Sequence, residues 1–137
     1  MFTNDYSRYS EVYFMKLMSE APAKFKEYVA RVEKQHSKMK VCRIRVDGGG
    51  QYVRREKFLY HLAQEGITRE VSAPYSQQQN DISERWNCTV LDPARSMLKH
   101  AGMPNMLCAE AIDSAVYIKN RLPTRPLPNS TPYERWT

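Results

Sequence analysis

Lys40-Val-Cys-Arg-Ile-Arg-Val46 runs straight into Asp47-Gly-Gly-Gly50. Apolar Val41, Cys42, Ile44 and Val46 are interleaved with basic residues, which is the pattern of a strand with one face toward a core. The glycines stop it and leave an acid at its tip. Downstream, a short helix over Glu56 to Gln64 is closed by Gly66, and Ile67-Thr-Arg-Glu-Val-Ser72 is a second strand ending before Pro74. Strand, helix and strand in this order predict an α/β unit.

Upstream, Phe25, Tyr28, Val29 and Val32 follow the i, i+3, i+4, i+7 spacing of an amphipathic helix from Ser19 to His36. Ser19 is its expected N-cap, and Pro22 fits only the first turn. Glu11-Val-Tyr-Phe-Met-Lys-Leu17 reads as a strand after the turn-like Asn4-Asp-Tyr-Ser7, with Phe2-Thr3 as the stub of the strand before it. Beyond Pro74, a helical stretch opens at Gln77 and reaches about His100, where Pro93 should kink it or start a new segment. Gly102-Met-Pro104 ends it. Leu107, Ala111, Ala115 and Ile118 mark a last helix, and Leu122-Pro, Arg125-Pro, Leu127-Pro and Thr131-Pro predict an extended tail.

The 137 residues suit one compact unit, and 21 Lys plus Arg against 15 Asp plus Glu leave a net charge of +6 that favours an anionic partner such as nucleic acid. No eighteen-residue apolar run occurs, and Met-Phe-Thr-Asn-Asp has neither the basic nor the apolar region of a signal peptide, so a soluble intracellular protein with no membrane partner is expected. Cys42, Cys88 and Cys108 lack CxxC spacing and are odd in number, which argues against a zinc site or a disulfide framework. His36, His61 and His100 have no second His or Cys at ligand spacing and read as surface or boundary residues.

Asp47, at a strand tip beside three glycines, has the open backbone that a metal and a bulky phosphate need. Glu84 lies on the long helix, with positions 48 to 83 between the two. Carboxylates brought together from distant sequence are the oxygen ligands a divalent cation requires. By residue type alone, Asp47 is also read as a turn-forming Asp before Gly, and Glu84 as a solvated helical Glu.

The local strings together resemble the integrase catalytic core of Ty1/copia-type retrotransposons. Asn4-Asp-Tyr-Ser-Arg8 with Val12-Tyr13 is similar to that family's Asp-Asp-Tyr-Ser-Arg strand pair, and Arg45-Val-Asp-Gly-Gly-Gly-Gln-Tyr52 to its Arg-Ser-Asp-Asn-Gly-Gly-Glu-Tyr. Ser72-Ala-Pro-Tyr75, Gln78-Gln-Asn80, Glu84-Arg85 and Ala94-Arg-Ser-Met-Leu98 resemble the next block. Ala109-Glu-Ala111, Tyr117, Asn120-Arg-Leu-Pro-Thr124 and Thr131-Pro-Tyr-Glu134 resemble the stretch that follows the core.

The resemblance implies an RNase H-like mixed sheet flanked by helices, here lacking the first strand, with residues 1–102 as an N-terminally truncated core and 103–137 as its C-terminal helix and proline-rich extension. It implies metal-dependent polynucleotidyl transfer in DNA integration, Mg²⁺ or Mn²⁺ as cofactor, DNA and a homo-oligomer as partners, and the nucleus as location. Asp47 corresponds to the second acidic metal ligand and Glu84 to the third. The first lies in the family upstream of the segment matched by Asn4 to Arg8, so weakened metal binding and a chain inactive by itself are expected. Arg85, Asn80, Arg54, Arg55 and Tyr75 are the candidate DNA contacts; Arg43, Arg45 and Arg69 read either as part of the same track or as a solvated strand face. Trp86 and Trp136 are read as packing residues.

Several positions depart from the family pattern. Gln51 replaces Glu, Asp81 replaces the Gly before the catalytic helix, Gln77 replaces Pro, and Cys88 stands where an Arg would contact phosphate. Cys108 takes the place of an aromatic and is expected in the core. The segment between Asp47 and Glu84 is one residue longer than usual, near Lys57. Two readings of another kind stand beside the integrase: a non-catalytic nucleic-acid-binding or dimerisation module, and an unstable relic whose exposed sheet edge invites aggregation.

Overall fold

The computed structural model describes residues 1–46, 56–71 and 77–137; at position 57 and positions 77–87 it describes the backbone alone. The chain separates into two compact units, where composition suggested one. A central unit runs from Met15 to Ile82, and a terminal unit joins Met1–Phe14 to Ser83–Thr137.

In the central unit, helix α1 spans Ala21–Gln35 and buries Phe25, Val29 and Val32, three residues of the expected stripe, while Tyr28 is half-buried. Ser19 is not its cap. It lies within a 3-10 turn, Met18–Glu20, which leads into the helix, and the Glu20 side chain accepts a hydrogen bond from the Leu17 amide at 3.2 Å. Pro22 sits in the first turn, where its missing N–H would have no helical partner.

Strands β3, Arg43–Val46, and β4, Thr68–Val71, pair in parallel with Ile44 beside Arg69 and Val46 beside Val71. A parallel pair needs a crossover, and helix α2, Glu56–Gln64, lies in the connection. Gly66 adopts a φ of +67°, a conformation an L side chain rarely takes. Its amide donates to the Ala63 carbonyl and that of Ile67 to the Leu62 carbonyl, at 3.2 and 2.8 Å. This Schellman closure aligns two buried residues, Leu62 at 2% exposure and Ile67 at 5%. Phe58 of α2 meets Phe25 of α1 edge to face, with centroids 5.5 Å apart. Burying each such side chain contributes roughly 1.5–3 kcal/mol, so these apolar residues dominate the unit's stability.

In the terminal unit, strands β1, Phe2–Thr3, and β2, Ser10–Glu11, form an antiparallel hairpin with Thr3 opposite Ser10. The strand expected over residues 11–17 is therefore much shorter. A ladder extends only as far as its partner, and β1 offers two residues; Phe14, Met15 and Leu17 are exposed. Within the hairpin loop, Asn4 Oδ1 accepts from the Ser7 amide and hydroxyl at 2.8 and 2.9 Å, and Arg8 takes a φ of 59° while its guanidinium pairs with Asp5.

Helix α3, Gln77–His100, passes through Pro93 as one helix, so of the two expected outcomes no new segment starts there. Val90 and Ala94 are buried while Pro93 and Thr89 are exposed, so the hydrogen bond that Pro93 removes would lie on the solvent side. Gly102, φ +61°, closes α3 by the same pair of bonds as Gly66, from Gly102 to Lys99 and from Met103 to Leu98.

Helix α4, Cys108–Arg121, follows a 3-10 turn and buries Ala115, Val116 and Asn120. Ile118, expected on its apolar stripe, is 46% exposed, and Cys108 is exposed at the helix start instead of in the core. The proline-rich tail is not extended. Thr124 bridges back to Leu127, and helix α5 occupies Pro132–Trp136. Thr131 Oγ1 accepts from the Glu134 amide at 3.2 Å and the Glu134 carboxylate accepts from the Thr131 amide at 2.8 Å, a reciprocal cap with Pro132 at the first helical position.

Candidate metal and nucleic-acid site

The residues that would carry chemistry sit at the edges of what the structure describes. Parallel pairing holds β3 through Val46, so the residue that follows its C-terminal end is Asp47. Asp47 itself lies outside the described residues, as do Arg54, Arg55 and Tyr75. Asn80, Glu84 and Arg85 are on α3, with Asn80 and Glu84 one helical turn apart; their side chains are outside the described residues. Among the described residues no three His, Cys, Asp or Glu gather as a metal cluster. The donor chemistry of Asp47 and Glu84, two carboxylates, suits a hard divalent cation.

The basic face of β3 is described. Arg43 Nη1 lies 2.7 Å from Glu70 Oε1, and Arg45 Nη2 lies 3.3 Å from Glu70 Oε2. Glu70 reaches both because the parallel register puts it opposite Arg45. Arg43 and Arg45 are exposed, so each pair is worth only about 0.5 kcal/mol, and one carboxylate offsets half the charge of the two guanidinium groups. Glu70, one residue before the end of β4, was missed from sequence although its register against Arg45 follows once both strands are recognised.

Three of the other family-like strings build the described fold. Asn4 to Arg8 makes the hairpin turn, and Thr131 to Glu134 makes the α5 cap. Asn120, 3% exposed, donates through Nδ2 to the Ser10 carbonyl at 2.8 Å and accepts at Oδ1 from the Ser10 amide at 3.0 Å. It thereby closes both backbone groups of a buried strand residue against α4. Trp136 stacks on Tyr9 at 5.1 Å and 7°, a packing role as expected. Hydrogen bonds to its carboxylate from the Thr131 backbone, then from the Thr131 and Ser130 side chains, hold the Glu134 pKa below its ordinary value.

No family model matches the chain. It is 36% identical over 136 residues, 99% of its length, to a retrovirus-related Pol polyprotein from transposon TNT 1-94 of Nicotiana tabacum. Its homologues are Ty1/copia-type retrotransposon Pol polyproteins. A Pol polyprotein from transposon RE2 of Arabidopsis thaliana is 28% identical over 98% of the chain, and the Ty1-PR2 Gag-Pol polyprotein of Saccharomyces cerevisiae is 30% identical over 58%. The chain spans about a tenth of the two plant Pol polyproteins, 10% and 9%. Its fold is similar to a chain in the cryo-EM structure of the simian T-cell lymphotropic virus intasome in complex with PP2A regulatory subunit B56 gamma. The TM-score is 0.75 at 16% identity, over 98% of this chain and 46% of that one. Mixed helices with small sheets, an α/β arrangement, are thus shared with a chain of that structure.

Proposed function

We propose that this chain is part of the integrase catalytic core of a retrotransposon Pol polyprotein, with an RNase H-like architecture and a role in metal-dependent polynucleotidyl transfer on DNA. Asp47 and Glu84 would hold Mg²⁺ or Mn²⁺, and Arg85, Asn80, Arg54, Arg55 and Tyr75 would contact DNA. A bound divalent ion supplies charge compensation to the attacking and leaving oxygens of a phosphodiester. The chain's own contribution is to place one carboxylate after a parallel strand and the other on a long helix. The observation that carries the reading is that Asp47 directly follows the end of β3 in a chain homologous to retrotransposon Pol over nearly its whole length.

Two carboxylates hold a cation less tightly than a fuller set of oxygen ligands, so uptake by Asp47 and Glu84 should be weak. The test is Mn²⁺ uptake followed by electron paramagnetic resonance. Weak uptake that falls about tenfold in either Asp47→Asn or Glu84→Gln supports the proposal. Uptake unchanged in both variants contradicts it.

A further inference from the structure

A second surface, confined to the terminal unit, has a chemistry of its own. From Lys119 to Thr137 the chain carries Lys119, Arg121, Arg125 and Arg135 against a single acid, Glu134. That carboxylate is already occupied by hydrogen bonds from Thr131 and Ser130. The Arg121 guanidinium lies 3.6 Å from the ring centroid of Tyr117 and 4.3 Å from that of Tyr133, steadied by a bond from Nη1 to the Tyr117 carbonyl. Tyr133 is 6.5 Å from Tyr9, and Arg135 Nη1 donates to the Tyr6 hydroxyl at 3.3 Å. Planar groups therefore run across α4, α5 and the hairpin loop.

Exposure separates this arrangement from a core. Tyr6 is 73% exposed and Tyr117 58%, so their rings are not placed there to be buried. Exposed aromatic faces beside guanidinium groups are what unpaired bases and their phosphates require: every base has a face that stacks on a ring, and every phosphate attracts a cation. A folded protein partner would also cover aromatic rings, but four cations against one acid from Lys119 to Thr137 leave a positive surface that selects a polyanion.

We propose that this tyrosine and arginine surface binds an unpaired stretch of nucleic acid, with bases stacking on Tyr6 and Tyr117 and phosphates meeting Arg121, Arg125 and Arg135. It requires neither Asp47 nor Glu84 and goes beyond the metal-dependent reading. The test is fluorescence anisotropy of a short labelled oligothymidylate with the full chain in EDTA, so that failure of metal uptake and failure of this surface are separate results. Combined Arg121→Ala and Arg135→Ala should weaken binding roughly tenfold and lower the salt slope by about 1.4, the value for two phosphate contacts on a single strand. Tyr117→Ala should weaken binding at least fivefold while Tyr117→Phe retains it; because that ring is exposed, this pair decides the matter if the arginine variants lose their circular dichroism. The proposal is overturned if removing Lys26 and Lys34 from α1 weakens binding as much as removing the arginines, if Tyr117→Ala binds like wild type, or if duplex of equal length competes as well as the single strand.

Discussion

Among the described residues, the central unit buries apolar side chains alone, whereas the terminal unit buries a polar lock beside its apolar Val90, Ala94, Ala115 and Val116. Around α1 and α2, Phe25, Val32, Phe58, Leu62 and Ile67 are buried, and charged side chains stay on the outer face of β3 and β4. In the terminal unit the buried set includes Ser7, Ser10 and Asn120, and a side-chain amide ties a two-residue strand to a helix 110 positions away. The comparison shows that polar motifs shared with a family need not be catalytic. Asn120 and the Asn4 turn are polar because backbone groups there need partners, whereas the proposed ligand Asp47 follows a strand whose other contacts are apolar or charged.

The largest expected effect lies in the apolar unit. Phe25→Ala removes a buried ring and its edge contact with Phe58 and should lower stability by about 3–5 kcal/mol, read from urea unfolding. A loss below about 1 kcal/mol would mean that the two helices do not pack as described.

Asn120→Ala should come next, at about 2–4 kcal/mol, because it leaves the Ser10 amide and carbonyl buried without partners. Hydrogen exchange sharpens the contrast: the Ser10 amide should lose its protection in this variant while amides of β4 keep theirs. Equal loss in both would show that the units do not differ as the polar lock implies.

Gly66→Ala should cost about 1 kcal/mol, measured as a shift in unfolding midpoint. Nothing lies within 4 Å of the added Cβ, so the penalty comes from the positive φ alone.

The smallest effect is titration of Glu134. Its folded pKa is lowered by the hydrogen bonds it accepts, so its contribution to the α5 cap is fully present above the unfolded value of about 4.5 and is lost as pH falls through the folded one. Amide exchange at Glu134 and Arg135 should therefore quicken in acid below that point, and Thr131→Ala should flatten the dependence.

Local patterns exposed much of the fold. β3, α2, the turn at Gly66 and β4 were readable because alternation, helical spacing and a glycine stop act within a few residues. The shortening of β2 was not, since a strand's length depends on its partner. Helix α5 was hidden behind a count of prolines, although Thr131-Pro132-Tyr133-Glu134 carries a cap, a first-turn proline and its reciprocal acid. Helical spacing points Ile118 inward, yet Val116 and Asn120 face inward because α4 packs against β2 and α5. Of the candidate site, the position of Asp47 after a strand and of Glu84 on a helix was evident from sequence. Whether two carboxylates with positions 48 to 83 between them share an ion depends on tertiary arrangement, which no local pattern encodes.

The most direct test is a double-mutant cycle on Mn²⁺ affinity. Wild type, Asp47→Asn, Glu84→Gln and the double variant are titrated under one set of conditions. If both carboxylates hold the same ion, the double variant binds little more weakly than either single one, and the losses fail to add. Additive losses, or no loss at either position, would contradict a shared metal and with it the proposed catalytic core.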